Sequence, residues 1–176
     1  MFQWPSWNSV VNSLAREEAL YVPGTETSYH LVNFGFILGE VVRRVTGQTI
    51  DEYLSVNFFT PMGFTHTSMR MRGEELQKSP YEVPVSSELK ATAFLFNLPP
   101  IRKALLPAVN LRSSARGLGT FFVMLLNNGT YNGKQYLSPE ILKTATRSHY
   151  NDFDKTMGFN MNWGLGFIIG GGKYLA

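Results

Sequence analysis

From Leu31 onward, Phe34, Leu38, Val41, Val42 and Val45 recur at intervals of three and four residues, the spacing of an amphipathic helix. Arg43 and Arg44 close the run and Gly47 stops it, as cations and glycine do at a helix C-terminus. The pattern predicts a long buried helix from Leu31 to Val45. Gly35 and Gly39 lie one turn apart and would leave a smooth strip where another backbone approaches closely. Just upstream, Pro23-Gly24 marks a turn, since proline presets one φ angle and glycine accepts a positive one. Tyr29 and His30 are therefore expected at the mouth of the helix.

Similar patterns divide the rest of the chain. Trp7, Val10, Val11 and Leu14 share one face of a helix predicted from about Trp7 to Ala19, with Arg16, Glu17 and Glu18 crowding its end. Thr49-Ile50-Asp51-Glu52 reads as a capping box for a helix carrying Tyr53, Leu54 and Phe58. Pro61-Met62-Gly63 then turns the chain into a short extended segment, Thr65 to Met69. Residues 70–110 are the least regular, with a helix predicted from Ser87 to Asn97 before Pro99-Pro100. Ser114-Ala115-Arg116 opens a strong helix through Leu118, Phe121, Phe122, Leu125 and Leu126, closed by Asn127-Asn128-Gly129. Asn132-Gly133 is a turn signal. Ser138-Pro139 supplies an N-cap and a first-turn proline for another helix. Trp163 to Ile169, glycines alternating with bulky residues, reads as a strand.

Composition narrows the function classes. With 176 residues, 44% hydrophobic and 16% charged, the chain suits one folded domain with a sizeable core. The net charge of +3 is scattered, so the chain carries no nucleic-acid footprint. Cysteine is absent, which removes disulfides and thiolate chemistry and leaves the compartment undecided. The longest apolar run, Phe121 to Leu126, is far too short for a membrane span. His66 and His149 have no partner at metal-ligand spacing, so neither a metal site nor a cofactor is expected.

Several stretches in fixed order carry a resemblance. They are Pro23-Gly24 through Tyr29-His30-Leu31 to Gly47; Thr46-Gly47 through Pro61-Met62-Gly63-Phe64 to Thr67; Pro107-Ala108-Val109-Asn110 with Ser114-Ala115-Arg116; Leu137-Ser138-Pro139-Glu140; and Trp163-Gly164-Leu165-Gly166-Phe167. Together they resemble the serine β-lactamase-like hydrolases: class C β-lactamases, penicillin-binding DD-peptidases and related esterases. The resemblance runs from about Pro23 to Phe167. It implies an α+β fold, a mainly helical lobe beside part of an antiparallel sheet of the β-lactamase/transpeptidase-like fold. Residues 1–176 would be an incomplete domain, mostly helical to about residue 160 and with a sheet strand at about 163–170. It also implies a catalytic role for Tyr29, whose counterpart in the family's Tyr-x-Asn motif helps move the nucleophile's proton. Here the motif reads Tyr29-His30-Leu31, a form similar to the esterase-like branch, and His30 is the candidate for substrate binding. The substrate implied is a small-molecule ester or amide.

Two further motifs of that family are not found where it places them. A Ser-x-x-Lys before the tyrosine sets hydroxyl and amine side by side on one helical turn, so the lysine can activate the nucleophile. Nothing before Tyr29 fits, and Ser87-Glu88-Leu89-Lys90 matches the letters on the wrong side of the tyrosine. The third motif, Lys-Thr-Gly or His-x-Gly, is imitated by Lys155-Thr156-Met157-Gly158, which precedes the strand it should follow. The sequence thus reads as the middle of a larger hydrolase, inactive as it stands. The alternative is a non-catalytic scaffold or self-associating module derived from the same family.

Overall fold

In the computed structural model, which describes residues 6–170, the predicted central helix forms as α2, Asn33–Thr46. It ends at Gly47, whose φ of 72° only glycine adopts freely and whose N–H donates to the Arg43 carbonyl at 2.9 Å. The face it buries differs from the expected one. Gly35, Phe36, Gly39 and Glu40 point inward, while Leu38, Val41 and Val45 are exposed, Val45 at 80%. The glycine strip decides this. A Cβ on Gly35 would lie 2.7 Å from the Ala108 backbone nitrogen, and one on Gly39 would lie 2.7 Å from the Trp7 ring. Dispersion rises steeply with closeness, so this flat face is the one against which neighbours pack.

Two compact units make up the chain. The first holds residues up to Arg16 together with Leu31–Ser114. Its core is Phe36, Ile101 and Leu106, with Trp7, Val10 and Leu14 packed against them. The last three come from α1, Trp7–Leu14, which is capped by the Ser6 side chain. This helix stops well short of Ala19, because beyond Arg16 the chain leaves for the second unit. The Trp7 and Phe36 rings sit 5.0 Å apart. Glu40, buried beside them, accepts hydrogen bonds from Trp7 Nε1 at 2.9 Å, from Arg43 through both carboxylate oxygens at 2.7 Å, and from Arg44 at 2.8 Å.

After Gly47, α3 (Ile50–Leu54) begins where the Glu52 carboxylate accepts from the Thr49 N–H, the acidic half of the capping box. It widens into a π-helical turn, Ser55–Phe59. Asp51 pairs with Arg70 at 2.6 Å. The extended segment expected at Thr65 to Met69 amounts to a single antiparallel bridge, Ser68 with Arg112. Three short helices follow: α4 (Glu74–Lys78), α5 (Lys90–Asn97) and α6 (Pro99–Lys103). Helix α5 starts three residues later than Ser87. Buried Asn110 donates to the Ile101 and Ala104 carbonyls, satisfying the frayed end of α6.

The second unit holds Glu17–His30 and the chain from Ala115 onward. Helix α7, Ala115–Leu126, ends at Asn128 and Gly129, both with positive φ. The Asn132-Gly133 turn joins β1 (Thr130–Tyr131) to β2 (Lys134–Gln135). Helix α8, Pro139–Thr146, starts with the Ser138 hydroxyl accepting from the Ile141 N–H. A second hairpin pairs β3 (Tyr150–Asp154) with β4 (Phe159–Trp163). The strand expected over Trp163 to Ile169 is therefore displaced: Trp163 ends β4. Past it the chain turns, Gly164 N–H donating to Phe167, and returns through one bridge between Trp163 and Ile168. Gly166, with φ of 77°, makes that reversal possible.

Candidate functional site

Tyr29 lies four residues before the start of α2, in a segment without regular secondary structure that is tied to the β3–β4 hairpin. The tie begins with the hairpin's own turn. Asp154 ends β3, and its Oδ1 accepts from the N–H groups of Thr156 and Met157, both at 2.9 Å. Aspartate favours such a place because its side chain mimics a backbone turn. Gly158, at φ 77°, closes the loop by donating to the Asp154 carbonyl at 2.8 Å.

The same Oδ1 accepts from the Tyr29 N–H at 3.1 Å, across 125 positions of sequence. Oδ2 accepts from Trp163 Nε1 at 3.1 Å. Strand register makes this possible, since Tyr150 opposes Trp163 and Asp154 opposes Phe159, which sets Asp154 and Trp163 on one face. The Trp163 indole in turn stacks on the Tyr29 ring, centroids 5.1 Å apart and planes within 5°. Lys155 adds two more ties, donating its N–H to the Thr27 carbonyl at 3.1 Å and pairing its ammonium with Glu26.

Asp154 is fully buried. Burial pushes its pKa up, but the hydrogen bonds from Met157, Tyr29, Trp163 and Thr156 outweigh that, and the carboxyl titrates below its ordinary range. Among the described residues the Tyr29 hydroxyl has no hydrogen-bond partner. His30 is exposed, and its Nδ1 lies 2.9 Å from the Ser28 carbonyl. A carbonyl only accepts, so Nδ1 carries a hydrogen, and in the neutral ring Nε2 is the acceptor.

Both imitations of family motifs have other roles. Ser87 and Lys90 are exposed, with Ser87 Oγ donating to Glu88 at 3.0 Å, and Ser87 precedes α5 rather than sharing a buried turn with Lys90. Lys155-Thr156-Met157-Gly158 is the turn that ties down the Tyr29 segment. Among the described residues no group of three or more His, Cys, Asp or Glu could hold a metal ion. No helix there is long and apolar enough to cross a membrane. Sequence reasoning missed Asp154 altogether. Its only signal was an acid one residue ahead of the Lys-Thr-Met-Gly run, which spacing alone cannot link to Tyr29.

The Beta-lactamase family model matches residues 2–175. The chain belongs to the beta-lactamase family. A family VIII carboxylesterase structure is 29% identical with a TM-score of 0.83, over 92% of this chain and 47% of that one. A penicillin-binding protein homologue from Caulobacter crescentus is 23% identical with a TM-score of 0.76, over 96% of this chain and 49% of that one. An Escherichia coli (strain K12) protein, provisionally named D-alanyl-D-alanine carboxypeptidase, is 25% identical over 158 residues, 81% of this chain and 36% of its own. The helices and small antiparallel sheets are thus part of the β-lactamase/transpeptidase fold. The chain spans about half the length of these structural neighbours and about a third of that carboxypeptidase-like relative.

Proposed function

We propose that this chain supplies the tyrosine-bearing part of a serine hydrolase that acts on small esters or amides through an acyl-serine intermediate. The observation that supports it most is the fixing of Tyr29, the family-motif tyrosine, by a buried carboxylate and a stacked indole. Catalytic groups need such restraint, because a proton moves efficiently only over hydrogen-bond distance. In this reading serine attacks the carbonyl, forming the acyl-enzyme, and water resolves it. The Tyr29 phenol passes the proton between serine and leaving group, and His30 contacts substrate. The Tyr-His pair and the likeness to a family VIII carboxylesterase favour esters over lactams.

No Ser-x-x-Lys precedes Tyr29 in these 176 residues, so the chain as given is expected to form no acyl-serine. The test is p-nitrophenyl butyrate and nitrocefin turnover, with labelling by a serine-directed fluorophosphonate. Background rates and no label are expected. Stoichiometric labelling at any residue would overturn this expectation, and labelling at Ser87 would make Ser87-Glu88-Leu89-Lys90 the nucleophile motif.

A second reading, a self-associating module that has left catalysis, is favoured by the exposed apolar stripe of α2: Ile37, Leu38, Val41 and Val45. Its test is sedimentation together with ester kinetics on a nucleophile-bearing protein that contains this chain. A discrete homo-oligomer that neither binds nor turns over ester supports the module, and ester turnover overturns it.

A further inference from the structure

Tyr29 lies in a segment with no regular secondary structure, so its placement must come from the groups that hold it. Three tethers from two consecutive residues at the end of β3 and the start of the turn do so: Asp154 on the Tyr29 N–H, the Lys155 N–H on the Thr27 carbonyl, and the Lys155 ammonium on Glu26. They act on Glu26, Thr27 and Tyr29, which fixes the path of the segment. They leave the Tyr29 side chain free to rotate. The indole of Trp163 restricts that freedom by lying flat on the phenol ring, and the indole is itself fixed by Asp154 Oδ2. One carboxylate therefore holds both backbone and ring, one oxygen for each.

We infer that Asp154 is the positioning residue of Tyr29, acting on its backbone through Oδ1 and on its ring through the Trp163 indole. The inference rests on reading Tyr29 as the proton-moving group, but its geometry can be tested apart from that reading. Burial supports it. Among the described residues no cation pairs with this buried carboxylate, so hydrogen bonds alone compensate its burial. All four of its hydrogen bonds serve the turn, the Tyr29 segment or the stacked indole.

The two oxygens can be separated by substitution. Asp154→Asn retains a carbonyl oxygen that accepts from the three backbone N–H groups. Its amide then faces the Trp163 N–H, donor against donor. The indole should come loose while the Tyr29 backbone stays held. Asp154→Ala releases both. Trp163→Phe retains a smaller stacking ring and loses the N–H together with the five-membered part of the indole.

The experiment is heteronuclear NMR of the chain as it stands, with the Trp163 indole resonance assigned through Trp163→Phe. The native chain should show upfield-shifted Tyr29 ring protons and a slowly exchanging Tyr29 amide. In Asp154→Asn the Tyr29 amide stays protected while the indole N–H loses its hydrogen-bonded shift and the ring protons move downfield. In Asp154→Ala the Tyr29 amide exchanges faster by about tenfold or more, the factor expected for losing a charge-assisted hydrogen bond. If Asp154→Ala does not fold, Asp154→Asn still decides. Unchanged Tyr29 ring shifts in Asp154→Asn with a displaced indole, or unchanged Tyr29 amide protection in Asp154→Ala, would overturn the inference. Neither result bears on the catalytic role of the phenol, which rests on the rate of Tyr29→Phe.

Discussion

The ring of Tyr29 lies parallel to the indole of Trp163, 5.1 Å between centroids and 5° between planes. A stacked pair of this kind contributes about 0.5–1.5 kcal/mol beyond the area it buries. That is small against a fold, but enough to prefer one orientation of a phenol. The pair joins the family's tyrosine motif to its Trp-Gly-Leu-Gly-Phe stretch, more than 130 positions apart.

Replacing Tyr29 with Phe keeps the stacked ring and removes only a hydroxyl. Stability should change by no more than about 1 kcal/mol. In a nucleophile-bearing protein that contains this chain, kcat should fall by about a hundredfold or more. Thermal melts and ester kinetics on the same preparation check both. A lowered Tm with kcat hardly altered would make Tyr29 a packing residue. Leu31→Asn, which restores the family's Tyr-x-Asn, should raise lactam turnover relative to ester turnover.

Gly35→Ala and Gly119→Ala should have opposite signs, although both glycines lie within helices. Alanine is favoured over glycine in a helix by about 1 kcal/mol. At Gly119 nothing lies within 4 Å of the new methyl, so the variant should be more stable by about that amount. At Gly35 the methyl meets the Ala108 backbone at 2.7 Å. Overpacking against main chain costs about 1–3 kcal/mol and should outweigh the propensity gain. Urea midpoints of the two variants decide the point.

Glu40 should make the first unit acid-sensitive. Hydrogen bonds from Arg43, Trp7 and Arg44 hold its carboxyl far below the ordinary value of 4.5, against the opposing effect of burial. The folded pKa is depressed, so the stabilisation is fully present above about 4.5 and is lost progressively as pH falls from there towards the folded value. Glu40→Gln should cost about 1–3 kcal/mol at pH 7, less than a fully buried pair because both arginines reach solvent. The gap between native and variant stability should narrow below pH 4.5. A gap constant with pH would mean that the charge contributes nothing.

The apolar stripe of α2 should drive association of the isolated chain. Leu38 and Val45 are exposed by 59% and 80%, and isolated stripes of this kind are sticky. Replacing both with lysine removes no core contact, so the fold should persist while light scattering falls. If scattering is unchanged, the stripe is not the surface that associates.

Local chemistry in the sequence determined what depends on neighbours along the chain. Gly47 stopped α2, Ser138 and Pro139 started α8, Asn132-Gly133 made a hairpin, and α7 formed over the residues its apolar spacing marked. In each case the signal lies within one turn of the structure it specifies. The ordered motifs also determined the family, because their succession survives where their separate letters are weak. Tertiary structure decided which face of α2 is inside, since close approach at Gly35 and Gly39 depends on Ala108 and Trp7, which arrive from elsewhere. It moved the strand from Trp163–Ile169 to Phe159–Trp163, because strand identity depends on a partner and β3 was not legible as one. It also set Tyr29 against Asp154 and Trp163. No periodicity records a hydrogen bond across 125 positions; only the folded hairpin brings that carboxylate to the tyrosine.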